Sequence, residues 1–283
     1  MPALPSLVAL VAAAALTAPI LRHLRAEGFT RENWRGVALP FPAGVAIVAA
    51  GVLALGVCAA LARLTDLDPF PHGSLSLGYL LGVALLGLVD DLLAGPPARV
   101  RGWRGHGRAV LGGAFSTGAL KAFGALALAL YELQGIGPGA DDYVLAVALL
   151  VLTTNLFNLL DLRPGRSVKA FTLLGVGLAI GAWSGPYDVV PLWLVGPFAF
   201  PALLVGLYDL RERAMLGDTG ANLVGGLAGL WMLYALGTTG RIVALGVVLA
   251  ITVYAEFRSL SALIERTPLL RQIDSIGRND QHA

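Results

Sequence analysis

Charge is scarce in this chain. Lysine, arginine, aspartate and glutamate make up 13% of the 283 residues, about half the share a soluble domain carries. Cysteine is nearly absent as well. Cys58 stands alone inside an apolar run, so no internal disulfide can form. The four histidines, His23, His72, His106 and His282, are scattered, and no zinc-type ligand spacing exists. A net charge of +2 is too small to suggest nucleic acid as a partner. Hydrophobic residues are abundant at 57%. They fall in long runs along the whole chain, which is the composition of a polytopic membrane protein. No soluble domain fits between the runs, and no internal repeat is visible.

The first segment, "MPALPSLVALVAAAALTAPILRHLR", has its basic residues after the apolar core. A cleaved signal peptide has the reverse order, so the segment reads as a retained helix with its N-terminus outside. With windows of about 17–25 apolar residues as the criterion, roughly nine spans emerge: 4–21, 38–62, 75–93, 109–131, 143–161, 169–185, 189–208, 219–236 and 241–257. The expected fold class is therefore all-α, a transmembrane helix bundle. The connectors after spans 1, 3, 5 and 7, together with the tail, hold 17 of the 20 lysines and arginines. The positive-inside rule places these connectors and the C-terminus in the cytoplasm. The chain divides into a transmembrane domain, 1–257, and a cytoplasmic tail, 258–283. In the tail, Leu260, Leu263, Ile264, Leu270, Ile273 and Ile276 recur at helical spacing, which predicts amphipathic helices on the inner membrane surface.

Charges within a bilayer are costly, so they face a cavity or one another. Asp90 and Asp91 end span 3 in "GLVDDLLAG". Neighbouring carboxylates invite a cation, and acids at a helix C-terminus oppose the macrodipole. The plain alternative is a helix end at headgroup level. Asn155, Asn158 and Asp161 share one broad face in the last two turns of span 5. Their plain alternative is interhelical polar glue. Arg163 and Arg166 follow at once, and Lys169 opens span 6, as a loop that binds an anion requires. Asp218 lies between Gly217 and Gly220 before span 8. There, backbone N–H groups attract phosphate, or the aspartate is simply an N-cap. Lys121 lies ~20 Å along a helix from Arg108, near the membrane interior, and requires a function or a paired acid. Carboxylates at the same ends of spans 3, 5 and 8, ringed by arginine, describe a phosphate-handling site that takes a hard divalent cation.

These motifs also carry a resemblance. An aspartate pair ending one span, an N-x-x-N-x-x-D segment ending a later one, and a G-D-T-G stretch opening another resemble the polyprenyl-phosphate N-acetylhexosamine-1-phosphate transferase superfamily, glycosyltransferase family 4. Here they read Asp90-Asp91, Asn155 to Asp161, and Gly217 to Gly220, over roughly residues 75–235. The resemblance implies transfer of a sugar-1-phosphate from a nucleotide sugar, UDP-linked in the family, to a polyprenyl phosphate, with release of a nucleoside monophosphate. It implies magnesium, with manganese as a substitute, a multi-pass place in the bacterial inner membrane, a site facing the cytoplasm and a role in cell-envelope biogenesis. A homodimer is compatible with it. By the same resemblance Asp218 is the magnesium ligand, and Asp90 and Asp91 ready the lipid phosphate or help hold the metal. Asn155, Asn158 and Asp161 bind the sugar nucleotide. Arg108 matches a basic residue that follows the aspartate pair in the family, and Lys121, Arg163 and Arg166 complete the expected substrate contacts.

Three departures stand out. "LRPGR" follows Asp161, so Pro164 stands where the family has a second aspartate. The family's histidine-bearing loop near the C-terminus is missing. The tail carries Arg258, Glu265, Arg266, Arg271 and Arg278 instead. The chain stops after about nine spans where many relatives have ten or more. A transporter or flippase of lipid-linked or phosphorylated solutes, and a non-catalytic scaffold derived from the enzyme, are the competing readings. No inverted repeat supports the first.

Overall fold

The computed structural model describes residues 1–71, 76–93, 116–134, 139–184 and 190–277. The described chain is almost entirely helical. The helices are α1 (Leu4–Ala26), α2 (Gly44–Leu64), α3 (Leu77–Leu93), α4 (Thr117–Glu132), α5 (Ala140–Leu160), α6 (Arg166–Ser184), α7 (Val190–Leu210), α8 (Gly217–Ala235), α9 (Thr238–Phe257), α10 (Leu260–Arg266) and α11 (Pro268–Ser275). One element departs from the all-α expectation. Strands β1 (Thr30–Glu32) and β2 (Ala38–Pro40) form an antiparallel hairpin between α1 and α2, with Arg31 opposite Leu39. The expected second span therefore opens later, at Gly44. Pro40 and Pro42 lack the N–H groups that a helix would need there, and each biases the residue before it toward extended backbone.

Five helices are long and apolar enough to cross a bilayer: Leu4–Ala26, Gly44–Leu64, Ala140–Leu160, Leu192–Leu210 and Thr238–Phe257. The chain is a multi-pass membrane protein. Helices α3 and α4 are shorter than these, and α8 spends many positions on glycine. The burial of α8 explains that composition. All its residues from Thr219 to Leu233 are buried, so it does not have to be greasy enough to meet lipid. It is the hub of the bundle, packed chiefly by α3 and α5 and also by α2, α6 and α7.

Small residues let the hub sit this close to its neighbours. A Cβ at Gly87 of α3 would overlap the carbonyl of Asp218, and one at Gly44 of α2 would overlap the backbone of Gly220. A Cβ at Gly225 would come within 2.8 Å of the Thr154 backbone on α5. These contacts bring the last turn of α3, the last turn of α5 and the first turn of α8 to one end of the bundle. The hairpin and the tail helices α10 and α11 lie at the same end: Arg31 bonds to Asp91 in the last turn of α3, and Ser261 of α10 and Asp274 of α11 bond to Arg166 at the start of α6.

Candidate active site

The first turn of α8 begins at Gly217, whose φ of +74° suits glycine alone. A side chain there would also meet the Asp91 carboxylate at 2.8 Å. No side chain caps this helix from its own sequence. Asp91 does so from α3: its Oδ1 accepts from the Asp218 N–H at 2.9 Å, and its Oδ2 accepts from the Thr219 N–H at 2.9 Å and the Thr219 hydroxyl at 2.6 Å. An acid at the unfavourable pole of α3 is thus placed on the favourable pole of α8. Asp218 is consequently not the cap, and its side chain is free for other work. The N–H groups that sequence reasoning offered to phosphate are already taken by Asp91.

Asp218 instead faces Lys121. The Lys121 ammonium donates to Asp218 Oδ2 and to Asp90 Oδ2, the latter at 3.0 Å. The two carboxylates thus converge on one ammonium. Asn158 completes the group. With its amide placed to match its neighbours, it donates to Asp218 Oδ1 at 2.8 Å and accepts from Lys121 Nζ at 2.5 Å. Lys121, Asp90 and Asp218 keep side-chain exposures of 18%, 15% and 28%, so the cluster is open at its mouth. Asp161, which ends α5, lies within electrostatic reach of Asp218, Asp209 and Asp91. Asn155 sits one turn back on α5, half-buried.

Among the described residues no group of three His, Cys, Asp or Glu side chains is arranged to hold a metal ion. Magnesium does not require one: it is commonly held by one or two carboxylates, with substrate phosphates and water completing the shell. Asp90 and Asp218 offer hard oxygen donors side by side, balanced by a single lysine, and this donor set fits that ion. The oxygens of Asp91 are spent on α8.

Arg163 lies in the turn after Asp161 and Arg166 opens α6, and each meets an acid of the tail. Arg163 is 3.4 Å from Glu265, and Arg166 binds Asp274. Arg108 lies outside the described residues. Sequence reasoning passed over four contributors. Asp209, an acid inside the basic connector after span 7, is buried and accepts from the N–H groups of Gly165 and Leu216. Thr219 holds Asp91 through both its amide and its hydroxyl. Arg31 donates to the Asp91 carbonyl at 3.0 Å and lies 4.0 Å over the Phe41 ring. Asp274 sat unremarked in the tail. An acid inside an otherwise basic connector was the available signal for Asp209.

Together these features define a polytopic helical membrane protein with a lysine-bridged carboxylate site at one end of its bundle. No family model matches the chain. It is similar to a phospho-N-acetylmuramoyl-pentapeptide-transferase of Kocuria rhizophila, 28% identical over 276 residues that cover 86% of this chain and 69% of that protein. The resemblance drawn from the three motifs is borne out by this distant homologue, a transferase.

Proposed function

We propose that the chain is a phosphoglycosyltransferase that moves a sugar-1-phosphate from a nucleotide sugar, UDP-linked by resemblance, onto a polyprenyl phosphate, at the cytoplasmic face of a bacterial inner membrane. One observation carries the reading. Three motifs far apart in sequence supply Asp90, Asn158 and Asp218, and one half-buried lysine joins all three. Structural pairing alone would need one acid for Lys121, and a second carboxylate beside it is costly unless a further cation uses it.

Asp90 and Asp218 would hold magnesium, which when bound neutralises phosphate charge and polarises a phosphoryl oxygen. Lys121 presents its ammonium to the phosphates of the incoming substrates, a point charge in a water-poor setting where it counts for most. Asn158 fixes the direction of the Asp218 carboxylate. Asp91 does not touch substrate in this reading; it anchors the turn that aims Asp218. Asp161 takes the donor side of the site, and the neighbouring "LRPGR" turn gives it a different surface from the family's.

The test is the purified protein with polyprenyl phosphate, magnesium and a panel of nucleotide sugars. Release of a nucleoside monophosphate dependent on both the lipid and the metal is the expected result. The absence of release with every donor overturns the proposal and favours the transporter or scaffold reading.

A further inference from the structure

The loop from Asp161 to Arg166 is held from three directions. From the core, the buried Asp209 accepts from Gly165 N at 2.7 Å and Leu216 N at 3.2 Å. One carboxylate thus ties this loop to the turn that leads into Asp218. Gly165 makes the approach possible with a φ of +73°. From the hairpin, the Trp34 ring lies 4.1 Å beneath the Arg163 guanidinium. From the tail, Asp274 takes Arg166 in a two-point fork, with Nε and Nη2 each at 2.9 Å. Ser261 accepts from the remaining nitrogen, Nη1, at 2.7 Å, and Lys169 Nζ donates to the Asp274 carbonyl at 2.5 Å.

The Arg166–Asp274 pair is almost sealed from solvent, with the arginine 5% and the aspartate 8% exposed. Desolvating two charges is expensive and is repaid only by good geometry with the other donors satisfied, which is the arrangement here. A tail that merely rested on a membrane surface would have no use for it. Ile273 and Ile276 line, with Val168, Leu203 and Leu207, an open apolar cavity of about 480 Å³ beside α6 and α7. Each of the three nitrogens of Arg166 donates to the tail.

The geometry points to Asp274 as a positioning residue of the site: through its fork on Arg166 it sets the loop that carries Asp161. This rests on the enzymatic reading above and deepens it.

The experiment uses the full chain in detergent micelles. Asp274→Asn keeps the size and one acceptor but loses the charge. Donor KM should rise about tenfold with the lipid KM unchanged, as for loss of a charged hydrogen bond. Amide exchange across residues 161–167 should quicken in the same variant, with no donor present. A merely structural role would lower the number of active molecules, reducing apparent kcat at unchanged donor KM, and that result overturns the proposal. Unaltered exchange in 161–167 overturns it too. Should Asp274→Asn fail to fold, Ser261→Ala removes only the Nη1 partner, and a donor KM raised about threefold is expected; no change sinks the idea. If the unaltered protein turns over no donor at all, the enzymatic reading falls, and the exchange measurement alone decides whether the latch sets the loop.

Discussion

Asp91 on α3 and Thr219 on α8, 128 positions apart in sequence, share one carboxylate oxygen: Asp91 Oδ2 accepts both the amide and the hydroxyl of Thr219. The bond is structural in its consequence, because it closes the start of the hub helix from a neighbouring helix. Thr219→Val keeps the shape and deletes the hydroxyl. It should destabilise the folded protein by about 1 kcal/mol, the usual net worth of such a bond. Asp91→Ala removes the whole cap and should cost about 2 kcal/mol, at the upper end for lost caps because the exposed N–H groups are buried. Thermal unfolding in detergent reads both. Equal midpoints for Thr219→Val and the unaltered protein would show that the hydroxyl contributes nothing.

Asp218 has the opposite character. Among the described residues its carboxylate meets Lys121 and the amide of Asn158, beside Asp90. Asp218→Asn keeps the size and removes the charge that a hard divalent cation needs. Turnover should fall by at least about a hundredfold, by analogy with other groups that stabilise charge in a transition state. The unfolding midpoint should hold, and it should lose any dependence on added magnesium. Near-normal turnover would remove Asp218 from the reaction.

Much of this site was legible in the sequence, and the reason is solvent. In a chain this apolar, Asp90, Asp91, Asn158, Asp161, Asp218 and Lys121 each stand out against their surroundings, because lipid makes an idle charge expensive. The same logic fails outside the membrane. Arg166 and Asp274 sit in connectors where a basic or acidic residue is cheap, so their buried pairing left no mark in the sequence. Asp209 was hidden in the same way among Arg211, Glu212 and Arg213. The partners of Lys121 were unreadable for a different reason: they depend on how α4 lies against α3 and α8, which is a property of packing alone. The hairpin escaped because "TRE" and "ALP" are too short to show alternation, although Pro40 and Pro42 already argued against a helix there.

Sidedness is open to a direct measurement. The hairpin, the arginines that follow Asp161 and the tail meet at the site end of the bundle, and the positive-inside rule assigns that end to the cytoplasm. A reporter that works only in the cytoplasm, fused after Ala283, should be active. A reporter that works only outside, fused at the same point, should be silent. The reverse pattern would invert the bundle and place the carboxylate site on the far face from any nucleotide sugar.

Lys121 carries the sharpest prediction, because it separates a catalytic lysine from a counter-ion. Removing it as Lys121→Met leaves Asp90 and Asp218 adjacent, partly buried and without their shared cation. Two like charges at that distance destabilise each other, and the site will take up whatever positive charge is offered. Divalent cations should therefore raise the unfolding midpoint of the variant more than that of the unaltered protein. If the lysine only balances charge, magnesium should substitute for it, and turnover at saturating metal should recover to within a few-fold. If it acts on the substrate phosphates, no metal concentration will restore the rate, since a second positive group aimed at the developing charge is still missing. We expect the second outcome: tighter metal binding, a higher midpoint with magnesium, and turnover lower by about a hundredfold or more. A variant that regains full activity in excess magnesium would make Lys121 a structural counter-ion and leave the phosphate chemistry to Asp90, Asp218 and the metal alone.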